Sequence, residues 1–142
     1  MISNVDKAVK IMKETMKLKE EERKLKQERL KNVNWGRERG NIIIIEDKRL
    51  MGQYSELMVA SDLTLKGYEI FIPYNMRAPF DLIAYKKKKM KRIEVKTGYI
   101  NSETFNLAFG PPTSDEWDIL AIYLKNHNKI IYMNKKNEIL DI

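Results

Sequence analysis

Asp81, then twelve residues, then Glu94-Val95-Lys96 is the arrangement in this sequence that could do chemistry. The segments around these residues, 80–86 and 91–97, alternate apolar and polar side chains, as strands covered on one face do. Leu82, Ala84, Ile93 and Val95 form the buried set, which leaves Asp81, Glu94 and Lys96 together on the opposite face. If Lys86, Lys87, Lys88 and Lys89 make the turn, Tyr85 pairs with Met90 and Asp81 lies across from Glu94. Directly opposed residues have Cβ atoms roughly 4.5–5.5 Å apart. Two carboxylates that close repel, and a divalent cation removes the conflict. Lys96 reaches the same space, where it could position a water or offset charge growing on a phosphate. Glu56, on a preceding helical segment, is a third carboxylate able to join them. The chain has no cysteine and one histidine, His127, so thiolate and histidine-rich zinc sites are excluded. An ion here would be held by oxygens, which points to magnesium, manganese or calcium. A plain cross-strand ion-pair set is the competing reading of the same three charges.

These side chains need elements to position them. Residues 2 to about 33 contain no glycine or proline and are rich in helix formers, with Ser3 or Asn4 as cap. Val5, Val9, Met12 and Met16 follow helical spacing, but the apolar stripe then thins, so the segment reads as an arm. Gly36 and Gly40 break it. Ile42 to Ile45 read as a short buried strand. Asp47 caps a helix over Lys48–Lys66, with Tyr54, Leu57, Met58, Ser61 and Leu65 on one face and Glu56 beside it. Gly67 ends that helix. A strand over 68–72 follows, closed by Pro73, then the loop Asn75–Pro79 and the hairpin. Residues 98–117 read as mostly loop, because of Gly98, Gly110, Pro111 and Pro112. A second hairpin, "WDILAIYL" and "KIIYM" around a turn containing His127, closes the chain.

The net charge is +7, which suggests a polyanionic partner. "KKKKMKR", Lys86 to Arg92, carries six positive charges in seven residues. Lys86, Lys87, Lys88 and Lys89 are either a solvated turn or phosphate contacts. Arg77, in the loop before Asp81, and Arg37 and Arg39, in the break after the arm, are further candidates for backbone contact. Tyr74 and Asn75 are candidates to reach bases. No apolar run approaches the roughly 18 residues that span a bilayer, and the N-terminus lacks the apolar segment of a signal peptide. The expectation is a cytoplasmic protein with no membrane association.

"GQYSEL", "LKGYEIFIP", "FDLIAY" and "RIEVKT", in that order, resemble the PD-(D/E)XK nuclease superfamily. More narrowly the chain is similar to archaeal Holliday-junction resolvases and to the PD-(D/E)XK homing endonucleases of group I introns. The resemblance covers Gly52 to Thr97. It implies an α/β (α+β) restriction-endonuclease-like core, a mixed central sheet flanked by helices, over residues 41–142. A helical arm and linker, residues 1–40, precede it. It implies a magnesium-dependent endonuclease acting on duplex or branched DNA, with manganese as a possible substitute. By position, Glu56, Asp81, Glu94 and Lys96 would be catalytic. The metal would be held by Asp81, Glu94, Glu56 and the Val95 carbonyl. A homodimer or homotetramer would bring two sites to two strands. A poor helix after Lys96 and a closing hairpin favour the intron-endonuclease group over the resolvases. A protein that keeps the fold but only binds nucleic acid, or serves in assembly, is the alternative.

Overall fold

The computed structural model describes residues 3–32, 45–101 and 103–142. The chain divides into two compact units, residues 1–34 and 35–142. In the first, α1 runs Asn4–Lys31. Ser3 caps it: the Ser3 hydroxyl accepts from the Asp6 N–H at 3.0 Å, and the Asp6 carboxylate accepts from the Ser3 N–H at 3.3 Å. This is a capping box. Arg29 and Lys31 in the last turn suit the negative end of the helix dipole. Val5, Val9, Met12 and Met16 are exposed. Arg37, Arg39 and most of the expected strand at Ile42–Ile45 lie outside the described residues.

In the second unit, Asp47 caps α2, Lys48–Leu65, by accepting from the N–H groups of Arg49 and Leu50. Gly67 follows in the left-handed region at φ +90°. The strands are β1 Glu69–Phe71, β2 Leu82–Lys86, β3 Lys89–Ile100, β4 Leu107–Phe109, β5 Ile119–Leu124, β6 Lys129–Met133 and β7 Ile139–Leu140. Among the described residues they form one mixed sheet in the order β1-β2-β3-β5-β6-β7, with β4 also on β3. Only β3 and β5 pair in parallel. β5 is buried at all positions, as its unbroken apolar run requires. The expected mixed-sheet α+β architecture is the one observed.

The core joins Val59 and Leu63 of α2 to Leu82, Ala84, Ile93 and Val95, the set expected to be buried, and to Ile119, Ala121 and Tyr132. The face of α2 differs from expectation. Met51, Ser55, Val59 and Leu63 are buried, whereas Leu57 and Leu65 are exposed. Apolar residues ring this helix, so periodicity offers more than one stripe, and contact with the sheet selects among them.

Two further differences concern β3. The turn before it has two residues, not four: Lys86 pairs with Lys89, and Lys87 and Lys88 adopt φ +51° and +63°. The expected Tyr85–Met90 pairing is present all the same. β3 also continues through Gly98 to Ile100, so part of the segment read as loop is strand. There β4 pairs on one side of Gly98 and β5 on the other. A Cβ at Gly98 would come within 2.5 Å of the Ile122 side chain, which explains the glycine.

Candidate active site

The β2–β3 ladder stops at Leu82–Ile93, and β4 joins β3 only at Gly98. Between these points the edge of β3 that faces β2 has no partner among the described strands. Asp81 fills part of the gap. Its N–H donates to the Ile93 carbonyl at 3.0 Å, and its carboxylate accepts from the Val95 N–H at 2.8 Å. A side chain thus takes the place of the missing ladder bond. The N–H and C=O of one strand residue point the same way, so the Val95 carbonyl faces the gap as well. Here the sheet splits. Glu56 comes from α2 on one face, and Glu94 and Lys96 come from the other.

Glu56, Asp81, Glu94, Val95 and Lys96 all line one cleft of about 400 Å³. Glu94 is buried, 4% exposed, and its carboxylate receives the Lys96 ammonium at 3.2 Å. Burial raises the Glu94 carboxyl above its ordinary pKa, and the Asp81 charge raises it further, with Lys96 opposing. Glu56 is also raised, by burial first and then by the charges of Asp81 and Glu94. The helical glutamate therefore lies close enough to feel both hairpin carboxylates.

Three carboxylates around one cleft, with Lys96 the cation that opposes their charge, fit a hard divalent cation in their donor chemistry. Among the described residues, however, no group of three such side chains stands converged as a cage. One oxygen of Asp81 is engaged by Val95 N–H, and one oxygen of Glu94 by Lys96. Each keeps a second oxygen, and the carbonyl of Val95 adds a neutral donor. In donor chemistry the residues fit the ion.

Sequence reasoning passed over Ser55, which is fully buried and lines the same cleft. Its hydroxyl donates to the Met51 carbonyl at 2.9 Å and lies 2.5 Å from the Thr97 hydroxyl. Ser55 has one proton, so Thr97 is the donor in the second bond. This contact ties α2 to β3 between Glu56 and Lys96, their immediate sequence neighbours. Tyr132 of β6 donates to Asp62 and ties the other half of α2 to the sheet. The signal in sequence was slight: a serine within a run of apolar helix positions.

The basic residues separate into two groups. Lys86 donates to the Lys66 carbonyl at the end of α2, at 2.7 Å, and its ammonium sits over the Tyr68 ring. Arg92, on the Glu94 face, is held by Asp118 through its backbone N–H and its guanidinium, at 2.8–3.2 Å. That pair fixes the start of β5 beside β3. Lys87, Lys88, Lys89 and Arg77 are exposed.

Residues 46–114 match the sequence model of the PD-(D/E)XK endonuclease family. That bears out the resemblance carried by the motifs, and with the fold it supports a nuclease. Among solved structures, a bacterial homing endonuclease, I-Ssp6803I, shares the fold with a TM-score of 0.57 at 15% identity. The similarity covers 65% of this chain and 68% of that one. No curated protein matches the chain significantly. Among the described residues no helix is long and apolar enough to cross a membrane.

Proposed function

We propose that the chain is a magnesium-dependent endonuclease that hydrolyses DNA phosphodiester bonds, manganese serving as a substitute ion. One observation carries the reading: Glu56, Asp81, Glu94 and Lys96 line a single cleft at the split in the sheet. There burial and the charge of Asp81 raise the carboxyls of Glu56 and Glu94, and the charge of Glu94 raises Glu56 further. Groups shifted in this way by burial and neighbouring charge, in a cleft, are candidates for a functional site.

Asp81, Glu94, Glu56 and the Val95 carbonyl would hold the ion, which when bound supplies Lewis acidity toward the phosphoryl group. Hydrolysis forms a P–O bond from a water and breaks the P–O bond to the leaving sugar oxygen. Lys96 acts on that change. Its ammonium donates to the attacking water or to a non-bridging phosphate oxygen, where negative charge grows. Asp81 satisfies the Val95 N–H on the open β3 edge, which leaves the Val95 carbonyl toward the gap for the ion. Lys87, Lys88 and Lys89 contact phosphates away from the cut, Arg77 contacts one beside it, and these contacts give salt-dependent affinity. The same reading takes residues 1–40 as an arm and linker. It takes a homodimer or homotetramer as the assembly in which two sites meet two strands.

The test compares linear duplex, supercoiled plasmid and four-way junction, with magnesium or EDTA, for wild type and Lys96→Ala. Cleavage is expected only with the ion, and the variant should be slower by about 10²–10³-fold. Equal rates for the two proteins would remove Lys96 from the reaction. A wild type that binds these DNAs and cuts none would favour a binding or assembly protein, and preference for the junction would indicate a resolvase.

A further inference from the structure

The segment joining β1 to β2 forms one rim of the cleft, through Met76 and Ala78. It reads Pro73-Tyr74-Asn75-Met76-Arg77-Ala78-Pro79. A proline at each end fixes φ and limits how the segment can swing. Inside it, the Asn75 side chain accepts from the Arg77 N–H at 2.9 Å, and the Asn75 carbonyl accepts from the Ala78 N–H at 3.1 Å. This is a defined turn, pinned from within.

The turn presents its two largest apolar side chains to solvent. Tyr74 and Met76 are fully exposed, and Phe71 and Ile72 just before them are more than half exposed. Tyr74 and Met76 take no part in the core. The turn borders a polar cleft lined by three carboxylates and a lysine, in a chain of net charge +7. The charge selects a polyanion, but the phosphates themselves have no apolar face to offer Tyr74 or Met76. Nucleobases do. Aromatic rings stack on bases with little regard to sequence, and apolar side chains set beside them keep base steps apart.

We propose that Tyr74 and Met76 form a base-contacting wedge on the rim of the cleft. Tyr74 stacks on an unpaired base next to the phosphate that enters the cleft, and Met76 occupies the space which that base leaves in the stack. The inference rests on the nuclease reading and narrows its substrate. DNA with a base already unpaired near the cut binds better than continuous duplex, because duplex must first be unstacked. Arg77, in the same turn, holds the flanking phosphate.

The test uses full-length protein in EDTA, so that binding is read without cleavage. Two labelled DNAs are compared, a continuous duplex and the same duplex with one bulged 2-aminopurine. Wild type is expected to bind the bulged DNA about tenfold more tightly and to quench the 2-aminopurine. Tyr74→Ala should lose both the preference and the quench, whereas Tyr74→Trp keeps them. The slope of log affinity against log salt should stay unchanged in Tyr74→Ala, because no phosphate contact is lost. Arg77→Ala should weaken both DNAs alike and lower the slope. A Tyr74→Ala protein that retains the preference, or loses affinity equally for both DNAs, would overturn the wedge while leaving the nuclease reading standing. Wild type that binds neither DNA would overturn both.

Discussion

Ser55 and Thr97 stand next to Glu56 and Lys96 in sequence, and their hydroxyls meet at 2.5 Å. That bond sets the height of α2 over β3, and with it the position of Glu56 relative to Glu94 and Lys96. Thr97→Val removes the donor while preserving shape. Ser55 keeps its bond to the Met51 carbonyl, so stability should fall by only about 1 kcal/mol. A small displacement of Glu56 acts on the chemistry instead. The expected result is about a tenfold loss in kcat with little change in KM, recovered in Thr97→Ser. A purely structural role would lower the melting temperature and leave the rate per folded molecule intact. The hairpin triad of Asp81, Glu94 and Lys96 was legible before the fold because strand alternation assigns faces by counting. The Ser55–Thr97 bond was not, since its partners are 42 residues apart and neither has a periodicity of its own. The same holds for Asp81, whose carboxylate is a backbone acceptor as well as a candidate ligand.

The β2–β3 hairpin turns on two lysines with positive φ, +51° at Lys87 and +63° at Lys88. A two-residue turn of this kind favours Asn-Gly, and an ordinary side chain in the left-handed region costs roughly 1–2 kcal/mol. Lysines kept there against that cost suit a turn used for its charge. Lys87→Asn with Lys88→Gly should therefore raise stability by about 1 kcal/mol in urea unfolding. It should also weaken DNA binding and reduce the salt slope by about 2. Higher stability with unchanged affinity and slope would mean the turn is merely solvated. The hairpin's register was readable because it depends on where the apolar positions fall, not on turn length. The turn itself was not, because lysine is no turn former and four in a row suggest a wider loop. Asp47 and Gly67 gave the ends of α2 for good physical reasons, a side-chain cap and a left-handed glycine. The buried face of α2 and the strand β4 depended on tertiary contact. Around β4, Gly98, Gly110, Pro111 and Pro112 resemble a loop because the single glycine needed for close strand packing looks the same as one needed for a turn.

At the scale of the molecule, three carboxylates of the second unit line one cleft where β3 loses a neighbour. The charges of the site and of the scaffold answer pH in opposite senses. Asp118, beside Arg92, has its carboxyl held below the usual range. Its stabilising effect is present at neutral pH and is lost as pH falls through that lowered value. Glu56 is raised, by burial and by Asp81 and Glu94. In the window between its ordinary and its raised pKa the folded state holds more protons than the unfolded one. Stability from this group is therefore complete below the ordinary value and is lost as pH rises through the raised one. Glu56→Gln removes the repulsion without removing a cation's partner, since Lys96 is bonded to Glu94. Without a divalent ion the variant should exceed wild type in stability at neutral pH, by about 0.5–1 kcal/mol. The difference should shrink to nothing as pH is lowered below the ordinary carboxylate value. Adding magnesium or manganese at neutral pH should raise the melting temperature of wild type more than that of the variant, because under the proposed function the ion would bind the folded state through the same oxygens. Thermal unfolding of both proteins across pH, with and without the ion, measures all of this. Equal melting temperatures for wild type and Glu56→Gln at every pH would mean that Glu56 does not feel Asp81 and Glu94, and the three carboxylates would no longer count as one site.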